Sequence, residues 1–223
     1  MCYNYEVSIT TFLLGTFFTL INFYYFNDNY LYLMITFAWY VGAILMQLWE
    51  TLLWKNYKCK LISKIAMINN LIQPILWLLI LFIPGYIKKQ KINVKMIFLI
   101  LALYIFYVSQ YFKNDYGCIK TNEGINLKWW NNNIGGLIYT LVQILLFILI
   151  LPKKIMKSQL LIFLVSLFLS NLFKIYQDKP QTFNDLLDKL FNIKLWGRTG
   201  SIWCWVAAFS PLINFIVLKY TYP

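Results

Sequence analysis

The chain has 223 residues, of which 61% are hydrophobic and 13% charged, whereas a soluble domain carries about 25% charged residues, so a soluble globular class is excluded. The sequence contains no His, which removes His-based acid/base catalysis and His-ligated metal sites, and we expect no cofactor. Its net charge of +12 accompanies a general richness in Lys, Asn, Ile, Tyr and Phe. We interpret that bias as genomic and expect no nucleic-acid partner.

Seven apolar windows follow one another along the chain, each close to the ~20 residues that a membrane span needs. Backbone polar groups must be paired within the bilayer, so we predict an all-α integral membrane bundle of seven helices, forming a single domain over 1–223. The first window has no basic leader or small-residue cleavage site and is interpreted as a retained span. The windows cover 7–26, 30–54, 62–84, 95–112, 134–152, 158–174 and 199–219.

The loop before the last span has a helical pattern of its own. Thr182 begins a sequence typical of a helix N-terminus, and apolar residues then recur at helical spacing up to Trp196. The sequence predicts a short helix over 182–196. It either lies in the membrane interface, anchored by Trp196, or packs as a lid on the bundle.

Charge and cysteine positions bear on orientation. We call the face that carries the N-terminus side A and the opposite face side B. Side B has its lysines in two short, dense loops, over 88–91 and 153–154. The positive-inside rule then favours an outside or lumenal N-terminus and a cytosolic C-terminus, although the short lysine-bearing loop 55–60 on side A argues the other way.

Three cysteines belong to side A: Cys2, Cys59 and Cys118. In an oxidising compartment two of them could form a disulfide, and the alternative is that all three are unpaired thiols. The sequence does not specify a pairing.

Polar side chains within the spans are the candidate binding residues, because such groups are costly in lipid. Gln47 and Glu50 share one face of the second span, and Asn70 and Gln73 share one face of the third. Pro74 lacks an N–H, so we expect the carbonyl of Asn70 to be released from its usual helical bond.

Other polar residues are predicted to lie at or near the same level. Folding the second and third spans about their loop places Glu50 level with Lys64, as a charge pair, and Asn69 about a turn deeper. Asn171 ends the sixth span on side A. The polar set is concentrated in the side-A half, which predicts a water-filled vestibule open on the N-terminal side. The alternative for each residue is a structural role, in which amides tie helices together and Glu50 pairs or reaches the interface.

Short motifs along the whole chain resemble an uncharacterised multi-span membrane protein family of giant DNA viruses and some bacteria. They are the Met-Cys-aromatic start, Gln47-x-x-Glu50 in span two, Gln73-Pro74 in span three and Gly200-Ser201-x-Trp203-Cys204-Trp205 in the last span. The resemblance implies a membrane location and a viral source but no activity. Bacterial relatives commonly have His at the place of Asn70, so their His-dependent chemistry does not carry over.

Prolines in spans three and seven also make the chain similar to the PQ-loop and sugar-transporter group, whose three-helix units repeat around a substrate. That group has its key Pro in the first helix of each unit. Here Pro74 and Pro211 lie in the third.

We therefore expect a small transporter or channel-like protein that takes a cation, proton or small polar solute into the vestibule, with Glu50 as the charged group. Gln47, Asn70 and Gln73 would coordinate the solute. The alternative is a receptor-like or structural viral membrane protein that binds a lipid or a protein partner, and a homo-oligomer is compatible with either. The third and lowest-ranked hypothesis is a membrane-embedded enzyme that uses Cys2 or Glu50. Because we rank it last, we assign no catalytic residues.

Overall fold

The computed structural model describes residues 5–110, 112, 120–121, 124–125, 133–177, 182 and 203–221, with side chains for 5–110, 112, 137–166, 168, 182 and 208–220. The described chain is almost entirely helical, which confirms the predicted all-α class. Its helices are α1 Tyr5–Tyr25, α2 Tyr30–Trp54, α3 Cys59–Leu71, α4 Gln73–Phe82, α5 Tyr86–Gln90, α6 Val94–Ser109, α7 Asn133–Ile150, α8 Lys153–Gln177 and α9 Trp203–Thr221. A two-residue antiparallel pair, β1 Lys120–Thr121 and β2 Gly124–Ile125, is the only strand structure in these ranges.

Two of the described helices, α1 and α2, are long and apolar enough to cross a membrane. A third candidate span results if α3 and α4, which meet at an angle of 51°, are counted together. Shorter apolar segments occur in α6, α7 and α9. The architecture is therefore compatible with a membrane protein.

Helix α1 has its small and polar residues inside and its large apolar residues outside. Leu13, Phe17 and Leu20 are between 57% and 60% exposed. A water-soluble helix would bury these side chains, whereas lipid solvates them at no cost. The buried face, which packs against α9 and α2, is formed by Ser8, Thr11, Gly15, Thr19 and Asn22.

Small residues on that face allow the helices to approach closely. A Cβ atom added to Gly15 would lie 2.5 Å from Cδ1 of Ile44, which is fully buried on α2. This distance is well below van der Waals contact. Gly15 therefore fits Ile44 only because it has no side chain.

Helix α2 is the central helix, in contact with α1, α3, α4 and α9. It changes to a π-helix over Tyr40–Ile44, where the Leu45 N–H donates to the carbonyl of Tyr40 five residues earlier. Such wider turns disturb the regular α-helical bonding and recur at functional sites. The π segment lies at the middle of α2, because Gly42 is twelve residues from each end of Tyr30–Trp54.

The third predicted window, 62–84, forms the kinked pair α3 and α4. Helix α3 ends at Leu71, and α4 begins at Gln73 with Pro74 in its first turn, where the missing N–H costs nothing. From Trp77 the helix narrows to a 3-10 form that ends at Phe82. Pro74 thus accounts for the position of the kink, which was not predicted within the window 62–84 and which faces the π segment of α2.

Other boundaries depart modestly from the predicted windows. Helix α8 begins at Lys153 and runs to Gln177, longer than the window 158–174. The short helix α5 was not predicted. The predicted interfacial helix over 182–196 lies outside the described residues, apart from Thr182.

Aromatic rings form the core between α2, α4, α7 and α8. Trp77 makes edge contacts with Trp39 and with Phe147, at centroid distances of 6.3 and 4.6 Å. Phe147 in turn contacts Phe163 at 5.9 Å. Edge-to-face packing of this kind holds the rings in fixed positions, so the helices around the π segment have a rigid apolar support.

Candidate functional site

The carbonyl oxygen of Gly42 is the acceptor on which the polar groups of α3 and α4 converge. Gln73 Nε2 donates to it over 2.5 Å, and Asn69 Nδ2 lies at 3.4 Å. Gln73 Nε2 also donates to Asn70 Oδ1 over 3.0 Å. The sequence-predicted residues Asn69, Asn70 and Gln73 are therefore brought together at the middle of α2.

Gly42 is required by this geometry. A Cβ at position 42 would meet Cγ of Gln73 at 3.1 Å and Cδ1 of Leu76 at 3.6 Å. The first distance is tight, so any larger residue would push Gln73 away from the carbonyl. The absence of a side chain lets α4 approach the π segment.

Tyr139 of α7 completes the cluster from the other side, with its hydroxyl donating to Gln73 Oε1. Two amide atoms near this point are buried without a hydrogen-bond partner: Nδ2 of Asn70 and Oε1 of Gln143. A buried polar atom without a partner is costly, and a bound water or ion is one way in which a protein offsets that cost.

A small cavity adjoins the cluster, with a volume of about 20 Å³. That is room for one water-sized species. Among its lining residues, all of which belong to the described part of the chain, the Tyr139 hydroxyl is the only titratable group. The lining is formed by Ala38, Trp39, Gly42, Ala43, Gln73, Trp77, Tyr139, Gln143 and Phe163.

Gln47 and Glu50 lie apart from this cluster. Glu50 is eight residues beyond Gly42 on α2, or about 12 Å along the axis. Gln47 faces α1, where Thr11 Oγ1 donates to its Oε1 over 3.4 Å. Both residues are only 2% exposed, and Glu50 has an interaction partner in the protein. The predicted set of four is thus divided between two levels of α2.

The predicted charge pair between Glu50 and Lys64 is not formed. Both residues are described, and Lys64 is exposed on α3 whereas Glu50 is buried. The second and third windows are joined by the expected turn, but the two side chains differ in exposure. Buried Ser63, and not Lys64, lies on the inward face of α3 at that level.

At the kink, a side chain donates a hydrogen bond to the backbone carbonyl of Leu71. The carbonyl that the sequence predicts to be released is that of Asn70, one residue earlier. Ile75 N–H, its regular α-helical donor, bonds to Ile72 O instead, at 2.8 Å. The hydroxyl of Tyr104 on α6 donates to Leu71 O over 2.9 Å. The kink is therefore tied to a third helix.

A second polar network occupies the side-B half of the bundle, which corrects the expectation that polar groups concentrate on side A. Trp39 Nε1 donates to Gln159 Oε1, and Gln159 Nε2 donates to Asn214 Oδ1, both over 2.6 Å. Asn22 Nδ2 bonds to the carbonyl of Pro211 over 2.8 Å. Gln159 was overlooked because the sixth window was begun at 158, which made Gln159 look interfacial.

Three further predicted residues lie wholly or partly outside the described structure. The backbone of Asn171 lies in α8, but its side chain is outside the described set, as are Cys2 and Cys118. Cys59, at the start of α3, is disulfide-bonded. Among the described residues, no group of three or more Cys, Asp or Glu side chains could hold a metal ion.

Tyr139 and Trp39 were missed from the sequence for a common reason. Membrane aromatics are normally read as interfacial anchors or core, and no spacing distinguishes the few that hydrogen-bond inside the bundle. Gln143 differs, because an amide side chain near the middle of an apolar window is a visible signal in the sequence.

No known protein family, curated protein or solved structure matches this chain. The resemblance to the viral and bacterial membrane family therefore stays a prediction.

Proposed function

We propose that this chain is a seven-span membrane protein that moves a small cation, proton or small polar solute across a bilayer. The observation that supports the proposal is the meeting of two interrupted spans, the π segment of α2 and the kink between α3 and α4, through the bond from Gln73 to Gly42 O. Interrupted helices at mid-membrane are a recurrent way to build a solute site, because they offer backbone groups that regular helices use internally.

The helix lengths and side-chain bonds support the proposed seven crossings. Helices α7, α8 and α9 have 18, 25 and 19 residues, and at 1.5 Å per residue each reaches about 27 Å or more. If successive helices alternate in direction, Trp39, Gln159 and Asn214 all lie six to nine residues from their side-B ends. The hydrogen bonds that join them agree with that alternation.

The size of the cavity limits the solute. Room for one water-sized species favours an ion, a proton carried by water or a solute of similar size, and a larger solute would need the helices to separate. Gln143, which lines this space, supplies an acceptor atom without a partner, and the unpartnered donor of Asn70 lies beyond the lining residue Gln73, to which Asn70 is bonded. Glu50, nearer side A, is the charged group that would attract a cation before it reaches the cluster.

Orientation is part of the proposal. A disulfide at Cys59 favours an oxidising compartment on side A, and the dense lysine loops favour the cytosol on side B. Both lines support an outside or lumenal N-terminus and a cytosolic C-terminus.

The test is a flux assay in liposomes loaded with Na⁺, K⁺ or a pH-sensitive dye. We expect flux above that of protein-free liposomes, and a reduction of at least tenfold in Glu50→Gln. The matched control is Glu6→Gln, because Glu6 is exposed at the start of α1, and its flux should equal that of the unchanged protein. Absence of flux for every ion and polar solute would end the transport proposal.

A receptor-like or structural role is the second candidate, favoured by one observation: Asn69, Gln73 and Gln159 all use their amides to join helices. On that account the cluster only stabilises the bundle. Lack of flux together with a large loss of stability in Gln73→Leu would support it.

A further inference from the structure

The side-B face of the protein carries a concentrated positive charge. Its charged residues all belong to the described ranges, and Asp28 is the only acid among them. We call the eight exposed lysines on this side the basic face: Lys88, Lys89, Lys91, Lys95, Lys153, Lys154, Lys157 and Lys219. Eight like charges with one acid repel one another, so a face of this kind needs anions from outside the chain.

The structure brings the two lysine loops together. The hydroxyl of Tyr86, at the start of α5, donates to the carbonyl of Ile150, at the end of α7, over 2.8 Å. Tyr86 and Ile150 are both buried, so the contact is a fixed part of the fold. It places the lysines of α5 beside those at the start of α8.

The first loop is also held in a defined shape. Helix α5 is bounded by left-handed residues at both ends, Gly85 with φ 73° and Lys91 with φ 52°. The backbone N–H of Lys91 donates to Lys88 O over 3.2 Å. The lysines 88, 89 and 91 therefore leave a compact turn and not an extended loop.

Exposed aromatic residues mark the depth of this face. Tyr24 is 85% exposed, Phe82 81% and Tyr220 81%, and the ammonium of Lys219 lies 5.5 Å from the ring of Tyr25. Tyr and Trp rings at the end of a span lie at the level of lipid headgroups. Lysines beside and beyond such rings are at the level of the phosphates.

We propose that the basic face binds the headgroups of anionic phospholipids in the side-B leaflet. The phosphate of the headgroup supplies the missing negative charge, and the rings below the lysines contact the upper acyl chains. A lysine near an anionic membrane surface strengthens binding by about fivefold, so several together give a marked preference for anionic over zwitterionic lipid. This inference is independent of whether the protein transports a solute.

The experiment uses the full chain in detergent, with native mass spectrometry to count bound phosphatidylglycerol and phosphatidylcholine at equal concentrations. We expect the unchanged protein to bind at least ten times as much phosphatidylglycerol as phosphatidylcholine. In the variant K88Q/K89Q/K91Q this ratio should fall at least tenfold. The matched control is K58Q/K60Q/K64Q, which removes three exposed lysines from side A and should keep the preference.

A salt series on the unchanged protein provides a second measurement that does not depend on any variant. The Debye length falls from about 10 Å at 0.1 M salt to about 3 Å at 1 M, so the preference should disappear in 1 M salt. Equal binding of the two lipids by the unchanged protein would overturn the inference. So would an equal loss of preference in the two triple variants, because that result would indicate total charge and not this face.

Discussion

The side-chain amide of Gln73 donates to the carbonyl oxygen of Gly42 over 2.5 Å, and this bond joins the kink between α3 and α4 to the π segment of α2. Each interruption releases the backbone from regular bonding, and the amide occupies the space between them. Gln73 also bonds to Asn70 and receives the hydroxyl of Tyr139. It is therefore the residue on which the candidate site most depends.

Replacement of Gln73 by Leu should lower the free energy of unfolding by about 2 kcal/mol. Hydrogen bonds between membrane helices contribute about 0.6 kcal/mol on average, up to roughly 1.7, and this change removes those that Gln73 makes with Gly42, Asn70 and Tyr139. Unfolding by SDS titration, followed by circular dichroism, measures the loss. Gln110→Leu is the control, since Gln110 is exposed, and a similar loss in both variants would show that Gln73 has no special role.

The contact between Gly15 and Ile44 gives a second expectation. Gly15→Ala should cost roughly 1–3 kcal/mol, because the new methyl overlaps Cδ1 of Ile44 and the core must shift. Ile44→Val removes that atom, at a cost of its own of about 0.5–1.5 kcal/mol.

The double variant distinguishes overlap from any general effect of Ala on α1. Its loss of stability should be smaller than the sum of the two single losses, since Val leaves space for the added methyl. Additive losses in the same SDS titration would contradict the packing described for this pair.

Gln159 connects α2 to α9 through Trp39 and Asn214. We expect Gln159→Leu to destabilise the protein by about 1–3 kcal/mol, because it leaves the indole N–H of Trp39 and the side-chain oxygen Oδ1 of Asn214 buried without these partners. The neighbouring Ser158→Ala, which loses only a local bond to Ile155, should stay within about 0.5 kcal/mol. Thermal unfolding of both variants in one detergent provides the comparison.

The disulfide at Cys59 should be measurable directly. Reduction by dithiothreitol is expected to lower the free energy of unfolding by about 2–4 kcal/mol, since it releases a constraint on the unfolded chain. Cys59→Ser should show the same loss and no further change on reduction. A reductant that lowers the stability of Cys59→Ser as much as that of the unchanged protein would exclude a role for this bond.

The sequence predicted the parts of the fold that depend on apolar length. Helix α2 covers the window 30–54 completely, whereas the kink at Pro74 within the window 62–84 was not predicted. The π segment could not be predicted, because Gly42 is the only strongly helix-disfavouring residue in Tyr40–Ile44 and a single glycine is tolerated within a regular α-helix. Its tertiary contacts, in which Asn69 of α3 and Gln73 of α4 donate to the Gly42 carbonyl, are not visible in the local sequence.

The candidate site was predicted in part for a similar reason. Helical spacing correctly grouped Asn70 with Gln73, since both belong to one turn of chain. It could not place Glu50 relative to Lys64, because that pairing depends on the rotation of one helix about its axis against another. Nor could it select Tyr139 from among 17 tyrosines, because only packing decides which hydroxyl reaches an amide.

The inverted arrangement of α1 changes how random substitutions should be read. In a water-soluble protein, the outward positions of a helix tolerate charged and polar replacements best. Here a library at Leu13, Phe17 and Leu20 would admit one bulky hydrocarbon for another but reject Asp or Lys, whereas the inward positions Ser8 and Gly15 would reject every gain in volume. The replacements that this helix tolerates would thus show whether its outward face contacts lipid or water, as well as which positions the fold constrains.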